Sequence, residues 1–416
     1  MKDKNFLKNV MFTYATKIAL LGFGFGVTVL TARVLGPEDR GLYVYATVLA
    51  STAIQVLSFG LPTLANYHVA KYPGRISYYM GAALIYALFV GGLCGLGGGL
   101  YYFIQGDFGD LTILLMVLVL IWIPVGILNT FFQNISLATG NVKLYNSIEL
   151  FFGGVASLAA LLLVFSGMVT PGNLYLSGFL VVSLSTVFYF RFLSKRAPIF
   201  LSLSMHHVKS EWKYALKIYA ASIFSFLLIK SDIFIVEYYL GKEAVGNYSI
   251  SVGLFDALYM FPVILGTILF PRLSALGNDK EKWKITKPIC IYTGFCASVV
   301  WLVMFFSAEL IIITLFGHAY HDSVLPFIYL LPGFVFLSMN TVIMNFFSSI
   351  GAPSMVIFGP LLGFLGNISG NMVLVPRFGI EGAAISSSLS YGLMLSLSLV
   401  YITMKTFGQG QTPADE

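Results

Sequence analysis

Five ionisable side chains, Lys17, Glu149, Lys230, Asp232 and Asp256, fall inside long apolar runs. A charge at the centre of a membrane helix costs about 2.5–3.5 kcal/mol on insertion scales, so such groups normally face a protein interior or a wet cavity. Lys17 and Lys230 would attract an anionic ligand, and a lone acid such as Asp256 could carry a proton. Lys17 shares a helical face with Thr13, Gly24, Thr28 and Thr31, and Asp256 shares one with Ser249, Gly253 and Thr267. A third polar stripe, in the second apolar run, holds Gln55, Ser58, Pro62 and Asn66. Small and polar residues at helical spacing mark faces turned away from lipid. Lys230 and Asp232 lie two apart, about 200° around a helix, and so cannot pair with each other; Lys230 could instead meet Glu237. The plain alternative for each charge is an interhelical ion pair with no ligand. Glu149, near one interface, reads first as a packing or snorkelling residue.

These charges belong to a chain of 416 residues that is 58% hydrophobic and only 10% charged, against about a quarter in soluble proteins. So few charges cannot build a water-facing surface, and lipid must be the main solvent. The net charge of +6 does not point to nucleic acid, because the basic residues sit in short gaps between apolar runs. Cys94, Cys290 and Cys296 lack metal-site spacing, and His206, His207, His318 and His321 are too isolated to ligate. No phosphate loop, G-x-S-x-G or H-E-x-x-H motif is present, so neither an enzyme nor a cofactor is expected.

Taking about 20 apolar residues per crossing, we place twelve spans, at 10–32, 42–66, 77–103, 111–137, 144–167, 173–193, 213–238, 248–271, 286–307, 323–349, 354–375 and 380–404. All must be helical, since lipid offers no partner to unpaired backbone. The stretch 308–323 reads as a short helix on the outer surface. With the N-terminus inside, inner connections collect 17 Lys and Arg residues against four outside (Arg33, Arg40, Lys242, Arg377). Both termini are therefore expected on the cytoplasmic side.

The sequence also repeats. Leu35–Tyr43 and Leu240–Tyr248 both read L-G-x-E-x-x-G-x-Y, and Asn129-Thr130, Asn134 and Gly140 recur as Asn340-Thr341, Asn345 and Gly351. The fold expected is all-α integral membrane, with about twelve transmembrane helices in two six-helix parallel pseudo-repeats. The division is 1–194 for an N-terminal lobe, 195–212 for a cytoplasmic linker, 213–405 for a C-terminal lobe and 406–416 for a cytoplasmic tail. The repeated turns read as architecture, with Tyr43 and Tyr248 in the interfacial belt. The GxxxG runs at Gly91/Gly95/Gly99, Gly359/Gly363 and Gly366/Gly370 predict close helix packing, and Asn367 and Asn371 interhelical hydrogen bonds.

At these turns the chain resembles a family. T-A-R-V-L-G-P-E-D-R-G-L-Y after span one, Ser231–Val236 before the second turn, Ser348-Ser349-Ile350-Gly351, and Val375–Ala384 before the last span are similar to bacterial polysaccharide biosynthesis flippases. These are of the O-antigen and teichuronic-acid type, in the multidrug/oligosaccharidyl-lipid/polysaccharide exporter superfamily. The resemblance implies a V-shaped bundle of two lobes, working by alternating access in a bacterial or archaeal cytoplasmic membrane. The implied cargo is an oligosaccharide on an undecaprenyl (di)phosphate, moved from the inner to the outer leaflet. Lys17 and Lys230 would then neutralise the phosphates, and Gln55 and Asn66 would bind sugar hydroxyls. Asp232 or Asp256 would couple transport to H⁺ or Na⁺. Expected partners are the glycan lipid, membrane lipid, and polymerase or glycosyltransferase machinery. A cation-coupled multidrug exporter of the same superfamily and a non-transporting scaffold of glycan assembly are the competing readings.

Overall fold

The computed structural model describes the backbone of residues 2–106, 111–198, 212–351 and 353–408, and the side chains of 12–106, 111–198, 216–351 and 353–404. Most of the expected linker, with His206, His207 and Lys209, and most of the tail lie outside the described residues. So do the side chains of Lys2, Lys4, Lys8, Lys213 and Lys405. Every described element is a helix: α1 (Lys2–Leu57), α2 (Leu61–Lys71), α3 (Ile76–Gln105), α4 (Ile113–Ala138), α5 (Val142–Phe165), α6 (Pro171–Ser194), α7 (Trp212–Ser274), α8 (Asp279–Phe316), α9 (Val324–Ser349) and α10 (Met355–Gly408). Among the described residues, nine helices are long and apolar enough to cross a membrane. The chain is a multi-pass membrane protein.

Helix starts follow the local sequence. Thr112, Asn141, Thr170 and Asn278 each precede a helix, and their side chains accept backbone N–H groups of Leu115, Leu144, Asn173 and Lys280. That satisfies donors which lipid or a crowded interface would leave orphaned.

Three helices are double. Each of α1, α7 and α10 joins two helical segments across one glycine: Gly36 (φ 73°, ψ 174°), Gly241 (φ 79°, ψ −174°) and Gly379 (φ 63°, ψ −145°). Only glycine takes this backbone without strain. Two of the three are the glycines of the L-G-x-E repeat. The third stands in Gly379-Ile380-Glu381, so all three are followed two residues on by a glutamate. A carboxylate in the first turn of the next segment suits the positive end of its dipole. The turns that would separate spans thus shrink to single residues.

Two other boundaries differ from expectation. The stretch 308–323 is no separate surface helix: α8 runs on to Phe316, and a 3₁₀ turn at His318–Ser323 leads into α9. The second span is not continuous either. It stops at Leu57 and resumes at Leu61, across Ser58, Phe59 and Gly60.

The chain divides into two compact units, Met1–Tyr219 and Ala220–Glu416. In the first, α4 packs against α1, α2, α3 and α6, around a core that includes Met80, Ile127, Phe132, Ile135 and Tyr189. In the second, α9 packs against α8 and α10, around Leu273, Val342, Ile343 and Phe347. Both are partly inside-out by the standards of a soluble protein. Phe103 and Phe165 are 86% and 83% exposed, while Asn367, Asn371, Ser387 and Ser398 are fully buried. Lipid rewards exposed apolar surface, and helices approach one another over small and polar residues. The GxxxG positions divide accordingly. A Cβ on Gly363 or Gly370 would press on Leu228 or Ser386, whereas Gly95 and Gly99 have open space.

Candidate functional site

The two units hold the candidate residues differently. In Ala220–Glu416, the first segment of α7 carries Lys230 and Asp232 two residues apart, so they diverge as helical geometry requires. Lys230 Nζ lies 3.2 Å from Asp256 Oδ2, and the two side chains are 30% and 41% exposed. Asp256 is on the second segment of α7, so this ion pair crosses the hairpin that turns at Gly241. Glu237, the alternative partner considered from sequence, is not the one Lys230 takes.

Asp232 turns the other way and is 2% exposed. Its Oδ2 accepts from the Tyr248 hydroxyl at 2.6 Å and from Ser387 Oγ at 3.4 Å, and its Oδ1 accepts the Ile233 N–H at 2.9 Å. Asn367 on α10 extends the cluster. Its Nδ2 donates to Ser387 Oγ at 3.0 Å, and its Oδ1 accepts from Asn371 Nδ2 at 3.0 Å and from Ser231 Oγ at 3.4 Å. Asn371 Oδ1, fully buried, has no hydrogen-bond partner among the described residues. Around one carboxylate, then, are gathered several neutral oxygens inside an apolar span, one of them an acceptor without a described donor. Hard oxygen donors of this kind suit a proton or a small hard cation.

Sequence reasoning placed Tyr248 in the interfacial belt. It is instead wholly buried and donates to Asp232. The serine run Ser386-Ser387-Ser388 and Ser390 was a visible signal for this cluster, because four hydroxyls in five residues of a span need partners.

In Met1–Tyr219, Lys17 is half-buried and, among the described residues, has no hydrogen bond or ion pair. Its stripe does turn inward. Asn146 Nδ2 on α5 donates to Thr13 Oγ1 at 2.6 Å, and Gly24, Thr28 and Thr31 line a cavity of about 380 Å³ with Gly153 and Ser157 of α5 and Ser177 of α6. Arg40, counted from sequence among the outer loop charges, is buried in α1 and also lines this cavity. Gln55 is half-buried and makes no hydrogen bond to a described residue. Asn66 is engaged: its Nδ2 donates to the Asn134 carbonyl at 3.0 Å, tying α2 to α4. Glu149 accepts from Tyr189 at 2.6 Å and Gln133 at 3.0 Å, a packed carboxylate with two neutral donors.

The described residues thus form a helical membrane bundle with charged groups held inside its helices. Comparison with known proteins makes the assignment definite: the chain belongs to the polysaccharide biosynthesis protein family, whose model matches residues 6–276. The capsular polysaccharide biosynthesis protein CapF of Staphylococcus aureus is 22% identical over 96% of this chain and 100% of its own length. An uncharacterized membrane protein of Methanocaldococcus jannaschii is 27% identical over 48% of this chain, which spans only 40% of that relative. Two solved structures share the fold. The lipid II flippase MurJ, in an inward closed conformation, superposes with a TM-score of 0.73 at 14% identity, covering 95% of this chain and 87% of its own. An inward-facing multidrug resistance MATE family transporter of the MOP superfamily gives 0.75 at 12%, covering 97% and 100%.

Proposed function

We propose that this chain is a flippase of polysaccharide biosynthesis, carrying a glycan linked to undecaprenyl (di)phosphate from the inner to the outer leaflet of the cytoplasmic membrane. Counting each double helix as two crossings gives twelve, arranged as two parallel six-span halves with both termini cytoplasmic and 195–212 as the linker. Family membership supports the substrate class. The single observation that carries the reading is Lys17, an intramembrane cation with no described counter-ion. Such a charge is costly unless an anion or water meets it. A phosphate arriving on a lipid would supply that partner by a charge-assisted hydrogen bond.

In the same reading, Lys230 is the second phosphate contact. It exchanges Asp256 for the cargo and takes Asp256 back on release. Asp232 is the coupling acid, since its buried oxygen cluster would bind H⁺ or Na⁺ and its occupancy would bias the packing of α7 on α10. Asp256 is then the counter-ion of a vacated lysine. Glycosyltransferase or polymerase machinery would meet the protein at the membrane surface, where the cargo is made and used.

The test is reconstitution of the full chain in vesicles with a defined lipid-linked oligosaccharide, reading its appearance in the far leaflet. Lys17→Ala and Lys230→Ala should each depress flipping at normal protein amount. Wild-type rates in both would end the cationic-site reading. Transport of organic cations in place of the glycan lipid would favour the exporter alternative.

A further inference from the structure

The break in the second span is unusual for a membrane helix. Helical bonding is regular up to Ser58 N–H, which reaches the Ile54 carbonyl at 3.0 Å. Phe59 then adopts φ 45°, the one described non-glycine residue with positive φ, and Gly60 follows at φ 69°. Leu61 N–H turns to the Ser58 carbonyl, so the Leu57 carbonyl loses its usual partner, and the Val56 carbonyl keeps only a long bond from the Phe59 N–H at 3.4 Å. Two tyrosines complete these carbonyls: Tyr219 donates to that of Val56 at 2.7 Å, and Tyr86 donates to that of Leu57. The Tyr219 ring lies 6.2 Å from that of Phe59, and a Cβ on Gly60 would stand 2.7 Å from Tyr219 Cβ.

A phenylalanine held in the left-handed region costs of order 1–3 kcal/mol, and such strain persists where it serves a site. Irregular backbone at membrane depth is tolerated only against protein or a wet cavity. Phe59 is nevertheless 50% exposed. One helical turn before it stands Gln55, whose primary amide also has no described partner; neither it nor the broken backbone could face hydrocarbon. Together they present an exposed aromatic face, an amide able to donate and accept, and two phenolic oxygens that still have lone pairs to offer. That combination matches one chemical class, a sugar ring, with an apolar C–H face and a rim of hydroxyls.

From this we infer that the Gln55–Gly60 break is a sugar-binding subsite, with Phe59 as the platform and Gln55 as the hydroxyl contact. Tyr86 and Tyr219 are positioning residues that hold the break open. The inference deepens the flippase reading and rests on it for the origin of the sugar.

Two experiments test it on the full chain in lipid nanodiscs. The first compares Phe59→Gly, Phe59→Tyr and Gln55→Leu in the flipping assay. Glycine relieves the strain, so Phe59→Gly should melt no lower than wild type yet flip at least tenfold more slowly; Phe59→Tyr, which keeps the ring, should flip faster than Phe59→Gly, and Gln55→Leu should flip more slowly than wild type. A wild-type rate in folded Phe59→Gly overturns the proposal. The second uses Phe59→Trp, taking the difference emission against wild type, titrated with dodecyl maltoside and with dodecyl phosphocholine. A saturable change with the maltoside alone is expected; an equal response to both, or none, overturns the subsite even if Phe59→Gly fails to fold. A maltoside response in a protein that flips no lipid-linked glycan would retain the subsite and remove the flippase reading.

Discussion

The two units each hold a half-buried lysine inside a span, but they treat it in opposite ways. Lys230 is met by Asp256 across the Gly241 hairpin, whereas Lys17 has no described partner. A paired charge is satisfied at rest and must be released before it can bind anything else. An unpaired one is poised, and the cost of holding it is recovered only when a ligand arrives. In the proposed cycle this difference would make Lys17 the capture residue and Lys230 the residue whose release accompanies movement.

The sharpest break of that contrast is Lys17→Ala. Losing one charge-assisted contact of about 1.5–3 kcal/mol should slow flipping roughly tenfold to a hundredfold, with little change in melting temperature. Lys17→Arg should restore most of the rate. Lys230→Met should act on stability as well, because it strands Asp256. The double variant Lys230→Met/Asp256→Asn should recover the melting temperature but not the flipping rate. Recovery of both would reduce the pair to a structural clip.

Next in size is Tyr248→Phe, which removes the hydroxyl donor from buried Asp232 and should cost about 1–3 kcal/mol in denaturant or thermal unfolding. Asp232→Asn should fold, and should abolish any dependence of flipping on a pH or Na⁺ gradient. A gradient response that survives the substitution would move coupling elsewhere. The smallest effect is expected from Asn66→Ala. With one amide N–H held by the Asn134 carbonyl, the residue should cost about 1 kcal/mol of stability on truncation and leave flipping within about twofold; a larger loss of flipping would mark its remaining N–H and carbonyl as cargo contacts.

What sequence could and could not supply follows from the range of each interaction. The kinks at Gly36 and Gly241 were legible because a strained backbone writes itself into one glycine and its neighbours. The echoed asparagines were legible for a similar reason: Asn134 and Asn345 each bond the carbonyl four residues back, at 2.9 and 2.8 Å. The partner of Lys230 was not. Asp256 lies 26 positions away, opposite only because the hairpin at Gly241 reverses with no loop, while Glu237 looked nearer on a single helix. Tyr248 was misread for the same reason, since its place in the core depends on which way the second segment returns. The interruption at Ser58–Gly60 left a clue in Gly60 and Pro62, but the hydropathy of the region is continuous and conceals it. It takes Tyr86 and Tyr219, from α3 and α7, to stabilise a break that span two could not keep alone.

The single-residue turns at Gly36, Gly241 and Gly379 have a practical consequence. At those corners the polypeptide offers no slack: an epitope tag, protease site or reporter inserted there would have to unwind a helix on each side. Topology mapping by insertion should therefore fail at these points through loss of the protein rather than through inaccessibility. The connection 166–170 between α5 and α6, which has several residues outside helix, is the place to put a tag.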